Sequence, residues 1–259
     1  MSTPGAVRVY LRDWAWFRQV VTAVGLASIV QPLMFLLGVG LGIGELVDSG
    51  GNTDLLDGEP YFAFYSSALL ATTAMFVLGG EALWPTLDGF QWSKANYSMI
   101  ATPLTPTDVM LGKALHFLVR GLVAVSGTGL VLLMFDDTRT WGVIPGVLAG
   151  VLCGMAFAMP LAALTATRDE DNLFPAIMRF GITPMFLFGG AFYPIAQLPT
   201  WLQPIAWITP LWHGIELARG SVLGGLEPLM ALVHIGVLSA FVLGGLLWAN
   251  RTFARRLLL

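Results

Sequence analysis

Few side chains in this sequence are of a kind that does chemistry, and their spacing limits what they can do. Asp169-Glu170-Asp171 contains an Asp-x-Asp pattern of the sort that holds a metal in sugar-transferring enzymes, yet it lies in a short break between two apolar runs and reads as a solvated turn. His213, Glu216 and Arg219 stand three apart, on one face of a short helix. One histidine and one glutamate are too few for a metal, so the trio reads either as a polar lining or as the capping and solvation of a helix end. Glu81 and Arg120 lie inside or beside apolar runs, where an unpaired charge is costly; each is expected to have a partner, Glu81 with Arg120 or with Lys113. His116 and His234 read as satisfied interior residues. The single cysteine, Cys153, excludes a disulfide framework and a cysteine metal centre. The sequence contains no G-x-x-x-x-G-K-[ST], no G-x-S-x-G and no H-E-x-x-H. A phosphate-cradling loop, a nucleophile elbow and a two-histidine zinc helix are therefore not expected, and no metal site is either.

The segments that must position these residues are apolar. Hydrophobic residues make up 56% of the 259 and charged residues 11%, where soluble domains carry about 25% charged. Uncharged windows of about twenty residues mark membrane helices. They occur at Val20–Gly44, Tyr61–Gly80, Ala114–Phe135 (interrupted by Arg120), Thr140–Thr167, Phe174–Tyr193 (with Arg179 near its start) and Pro228–Asn250. The fold class is thus all-α and polytopic, with six transmembrane helices. Arg8, Arg12, Arg18, Lys94, Lys113, Arg168, Arg179, Arg251, Arg255 and Arg256 all fall on one side of that arrangement. Glu45, Asp48, Asp54, Asp57, Glu59, Asp136 and Asp137 fall on the other. Basic residues stay inside, which places both termini in the cytoplasm. Ala6–Arg18, with three arginines, does not read as a cleavable signal; Val7–Phe17, basic and aromatic, fits an amphipathic helix lying in the inner interface within residues 1–18, or else an aromatic belt at the start of the first span. Gly146, Gly150 and Gly154 recur every fourth residue, a spacing that lets membrane helices approach closely.

Phe180–Ile215 has no charged residue, yet Pro184, Pro194, Pro199, Pro204 and Pro210 interrupt it. A straight helix does not survive that density of missing N–H groups, and broken backbone at membrane depth must be buried in protein or line a cavity. A re-entrant helical hairpin between the fifth and sixth spans is expected, with Trp201–Ile205 and Leu211–Ala218 as its short helices. On the inner side, Glu81–Lys113 is a long connection, and long ordered loops tend to be functional. Thr86–Ala101 is expected to form a short surface helix, and Thr105 or Thr107 to cap the next helix, with Pro106 as its start.

At these residues the chain resembles the ABC-2 type permeases, the membrane subunits of ATP-binding-cassette exporters. Two blocks carry the resemblance: Gly79-Gly80-Glu81 through Thr102-Pro103-Leu104 to Gly112-Lys113, and FLFGGAFYPIAQLPTWLQPIAWITPLWHGIELARG, Phe186–Gly220. The second block is most similar to permeases for nodulation lipo-oligosaccharide export and daunorubicin-type drug efflux. The resemblance implies a single transmembrane domain over residues 1–259, a coupling loop within 85–113 and an extracellular gate within 194–222. It implies two ATPase subunits, contacted through Asp88, Phe90, Trp92 and Lys94, and a second permease, identical or homologous. ATP and magnesium would sit on the ATPases and no cofactor on this chain. The outer gate would include Leu198, Pro199, Trp201, Leu202, His213, Glu216 and Arg219. The other implied partners are membrane lipid and an amphiphilic substrate, not nucleic acid, and the place is a bacterial plasma membrane. A lipid-modifying membrane transferase and an ion-coupled carrier are the alternatives. The first lacks a catalytic constellation, and the second lacks a clear internal repeat and midplane acids.

Overall fold

In a computed structural model, which describes residues 4–50, 56 and 58–258, every regular element is helical. Asp54 and Asp57, counted above among the outer acids, lie outside the described residues. Helix α1 (Gly5–Phe35) passes through a π-helical stretch, Leu36–Leu41, into α2 (Gly42–Ser49). Pro32 accounts for the wide turn: it removes one rung of the i→i−4 ladder, and the backbone relaxes into a wider register just beyond it. Then follow α3 (Tyr61–Gln91), α4 (Ala95–Ile100), α5 (Pro106–Leu132) and α6 (Val143–Thr165). A short apolar helix comes next, built from α7 (Phe174–Ala176), a π-helical stretch Ile177–Ile182 and α8 (Thr183–Phe188). The chain ends with α9 (Gln203–Ile208), α10 (Pro210–Leu223) and α11 (Pro228–Leu258).

Among the described residues, five helical runs are long and apolar enough to cross a membrane: Gly5–Ser49, Tyr61–Gln91, Pro106–Leu132, Val143–Thr165 and Pro228–Leu258. The expected fifth span is shorter than the sequence suggested. Its helix ends at Phe188 rather than Tyr193, and at 1.5 Å per residue it covers only about 22 Å of a hydrocarbon core about 30 Å thick. Gly189-Gly190 stops it. Gly190 has φ +88, which a β-carbon disfavours, and a side chain on Gly189 would reach Leu211 of α10 at 3.0 Å.

Helix α3 is the axis of the bundle and is buried along most of its length. Three of its buried hydroxyls are satisfied locally. Ser66, Ser67 and Thr72 donate to the carbonyls of Ala63, Phe64 and Ala68 one turn back, the arrangement an apolar interior demands. Helix α6 lies against it through the expected glycines: a β-carbon at Gly150 would sit 2.6 Å from the Leu70 carbonyl oxygen, and one at Gly154 2.8 Å from Ala74 Cβ. The Gly-x-x-x-Gly stripe therefore serves packing within the chain. Helix α10 packs on both α3 and α6, with Leu211, Ile215 and Ala218 fully buried.

Two expected elements take another form. The interfacial helix is not separate: its residues are the first turns of the 31-residue α1, which runs through Arg18 without a break because no proline or paired glycine interrupts it there. Val9, Asp13 and Phe17, four apart, form its buried face, and Val9 Cβ lies 2.5 Å from where a side chain on Gly112 of α5 would stand. Nor is Thr86–Ala101 one surface helix. Thr86–Gln91 finishes α3; the chain then turns through Lys94, whose φ is +51, and only Ala95–Ile100 forms a separate short helix.

Candidate functional site

At the end of the bundle that carries the basic residues, α1, α3 and α5 are tied by charges. Arg120 Nε donates to Glu81 Oε1 at 2.9 Å, and the two side chains are 14% and 21% exposed. The Arg120 guanidinium also stands over the Phe17 ring, 5.6 Å from its centroid, while its Nη1 is buried without a partner. Lys113, the other partner considered for Glu81, goes elsewhere: its Nζ lies 2.8 Å from Asp13 Oδ2, and Arg12 Nη1 lies 3.1 Å from Asp13 Oδ1. Asp13 is the residue that sequence reasoning missed. Its signal was legible, since an acid on the Val9–Asp13–Phe17 stripe must be buried with the stripe and so needs a cation.

These pairs border a cavity of about 600 Å³ between α1, α3, α5 and the turn before α4. Trp16, Trp84 and Trp92 line it, with His116, Phe117 and Asp88. Of the four residues expected to touch an ATPase, two are elsewhere. Asp88 is half-buried in the cavity wall. Phe90 is 1% exposed, packed on Phe253 with ring centroids 5.1 Å apart and beneath the Arg256 guanidinium at 4.4 Å. Both sit on the last turns of α3, and a continued α3 turns Phe90 into the core; Phe90 as a surface contact is corrected by that burial. Trp92, 61% exposed, and Lys94 stand at the free turn. Thr105 caps α5: its hydroxyl accepts from Asp108 N while Asp108 Oδ2 accepts from Thr105 N, a closed capping box with Pro106 in the first turn.

The acidic turn at 169–171 has a structural use here. Asp169 Oδ1 accepts from Gln91 Nε2 at 3.0 Å and from Arg256 Nη2 at 3.1 Å, and Asp171 Oδ2 accepts from Trp84 Nε1 at 3.3 Å. Arg256 also donates to the Thr165 and Ala166 carbonyls that end α6, at 3.2 and 3.3 Å, where a cation is favoured. The turn thus pins the ends of α3, α6 and α11 together.

At the opposite end, the proline-rich segment folds back on the bundle. The expected helix Trp201–Ile205 forms two residues later, as α9 (Gln203–Ile208), because Pro204 fits the first turn of a helix. The expected Leu211–Ala218 is the longer α10 (Pro210–Leu223), opened by Thr209, whose hydroxyl accepts from Trp212 N, and by Pro210. Leu198 is buried with Ile195 and Ala206, and its carbonyl accepts from Gln203 Nε2 at 2.9 Å. Pro199 and Trp201 are exposed and Leu202 half-buried. Arg219 donates to Glu216 Oε1 at 2.9 Å and to the Gly190 carbonyl at 2.7 Å, and its guanidinium lies 3.6 Å from the Phe64 ring centroid. It therefore joins α10, the glycine turn and α3. His213 leaves this group: its Nδ1 is 2.8 Å from Nδ1 of His234 on α11, with Trp212 edge-on to both rings. A hydrogen bond between two such nitrogens needs one to donate and the other to accept. No cluster of three or more metal-ligating side chains occurs among the described residues.

The profile of the ABC-2 type transporter family matches residues 9–223, which run from within α1 to the end of α10. The chain is also similar to proteins named Nodulation protein J: that of Rhizobium leguminosarum bv. viciae is 29% identical over 251 residues, 96% of this chain and 94% of the relative. That of Rhizobium meliloti (strain 1021) is 28% identical over 253 residues, 97% and 94% of the two chains. That of Bradyrhizobium diazoefficiens is 26% identical over 254 residues, 96% and 93%. With five long apolar helices and a family match over most of its length, this multi-pass membrane protein belongs to the ABC-2 type transporter family, as the membrane subunit of an ABC transporter.

Proposed function

We propose that this chain is the permease of a bacterial exporter and moves an amphiphilic or lipid-linked substrate outward across the plasma membrane, driven by a separate ATPase. Two ATPase subunits, which hold the ATP and magnesium, and a second permease complete the assembly. Both termini lie in the cytoplasm. The observation that carries the reading is the build of the inner end, in a chain without a phosphate-cradling loop. An exposed turn, Trp92 to Lys94, and the short α4 stand between two long helices that are cross-tied by Glu81–Arg120 and, through α1, by Asp13–Lys113. A push on that turn reaches α3, α5 and α1 together, because an ion pair set among buried side chains transmits displacement rather than absorbing it. In this reading Trp92 and Lys94 meet the ATPase, with α4 behind them and Phe90 stiffening the seat from within.

At the outer end, α9 and α10 form the re-entrant gate. Arg219 fastens α10 to the glycine turn and to α3, so opening must loosen or carry that fastening. The composition of the chain, 56% hydrophobic and 11% charged, suits a path for a lipid-like or drug-like substrate. The reading is tested by expressing the chain with the ATPase encoded beside it and purifying through a tag on the permease. The ATPase is expected to co-purify and to be lost when Trp92 and Lys94 are both replaced by alanine. An intact complex in that double variant would refute the assignment of the turn.

A further inference from the structure

We propose that the inner cavity binds the headgroup of a zwitterionic phospholipid, phosphate toward Arg12 and Lys113 and ammonium toward Asp88. The inference rests on the functional reading only for the statement that this end of the bundle meets the inner membrane surface. Its basis is the distribution of charge around the cavity. One carboxylate, Asp13, is shared by two cations, Lys113 at 2.8 Å and Arg12 at 3.1 Å, so that side carries an excess positive charge. Glu81 is neutralised by Arg120 at 2.9 Å. Asp88 lines the same cavity half-buried, and among the described residues its carboxylate makes neither an ion pair nor a hydrogen bond. The walls therefore present one surplus cation and one surplus anion.

Each simpler ligand meets one of these charges with the wrong sign. An anionic headgroup would be repelled by Asp88, and a plain organic cation by Arg12 and Lys113. A phosphate joined to an ammonium satisfies both. The aromatic lining agrees with the ammonium end, since Trp84 and Trp92 lie in the wall with Asp88, and an indole face attracts a desolvated cation. The volume, about 600 Å³, falls within the range of small-ligand pockets. A lipid rather than a soluble zwitterion is favoured by Trp16, which lines the cavity and is 65% exposed. Tryptophan in that place belongs at the headgroup level of a bilayer, and the neighbouring apolar surface of α1 offers the acyl chains a path.

The test uses the full-length chain, delipidated in detergent and titrated by native mass spectrometry. The probes are phosphatidylethanolamine, phosphatidylglycerol of the same acyl chains, and soluble glycerophosphoethanolamine. Phosphatidylethanolamine is expected to bind about tenfold tighter than phosphatidylglycerol, which corresponds to about 1.4 kcal/mol. Asp88→Asn should abolish that preference; it keeps the side chain's shape and breaks no contact of the fold. Arg12→Gln, at an exposed site where Lys113 still holds Asp13, should weaken both lipids and is the second, independent variant. The proposal is overturned by equal binding of the two lipids, by an unchanged preference in Asp88→Asn, or by the soluble headgroup binding as tightly as the lipid.

Discussion

Replacing Glu81 by glutamine keeps the shape and removes the charge that Arg120 faces across 2.9 Å. Two unit charges whose centres are about 4 Å apart attract by about 4 kcal/mol at the effective dielectric of a protein surface. Desolvation takes back part of that. Breaking a buried pair by removing one partner costs about 3–5 kcal/mol, and the partial exposure of these two side chains argues for about 2 kcal/mol. The guanidinium left behind would keep the Phe17 ring at 5.6 Å and an Nη1 that already has no partner, so little in the site can take up the lost interaction. Arg120→Ala should cost a similar amount. The double variant should cost less than the sum, with a coupling energy of about 1–2 kcal/mol. The assay is reversible unfolding in mixed micelles, followed by tryptophan fluorescence, on the four proteins of the cycle. Additivity within about 0.5 kcal/mol would mean that the pair stabilises nothing, and the idea that it couples α3 to α5 would fall with it.

Phe90→Ala should cost about 3–5 kcal/mol of stability, as for other large aromatic side chains removed from a core, whereas Trp92→Ala at its exposed site should stay within about 0.5 kcal/mol; thermal midpoints of the two variants separate a core residue from a surface contact. Gly150→Ala sets a β-carbon 2.6 Å from a backbone oxygen of α3, which cannot move aside cheaply, so a loss of about 1–3 kcal/mol from overpacking is expected, and wild-type stability would show that α3 and α6 do not meet as described. In a Cys153→Ala background, single cysteines at Gln197 and Asp137 should react with an impermeant thiol reagent added outside intact cells, and one at Ser98 only after lysis; the reverse pattern would invert the topology.

How much of this was legible beforehand depended on whether a feature is local. The apolar windows, a threonine cap beside Pro106 and the glycine stripe of α6 are each set by neighbouring residues, and the sequence displays them directly, though it leaves the cap open between Thr105 and Thr107. The Glu81–Arg120 contact was legible because two charges in apolar runs have few places to go. What escaped were boundaries and choices between equivalent partners. The short fifth span ends where a glycine pair meets Leu211, a contact with a helix some twenty residues further on, invisible to a window of hydropathy. Phe90 was expected on a separate surface helix, Thr86–Ala101, yet α3 carries Pro85 within it and runs on to Gln91; the packing of Phe90 against Phe253 holds those last turns in place. His213 shared a face with Glu216 and Arg219 by spacing, but α11 brought His234 beside it. Side chains on one helical face part company when two different neighbours pack against it.

The most direct measurement of the central claim is ATP-dependent translocation in vesicles containing this chain and its cognate ATPase, with a fluorescent lipid-linked oligosaccharide as substrate. The isolated chain should hydrolyse no ATP and move nothing. Adding the ATPase should create both activities, and Trp92→Ala in the permease should lower transport while the vesicles keep the protein folded. Robust ATP turnover by the chain alone, or transport driven by an ion gradient without the ATPase, would contradict the account.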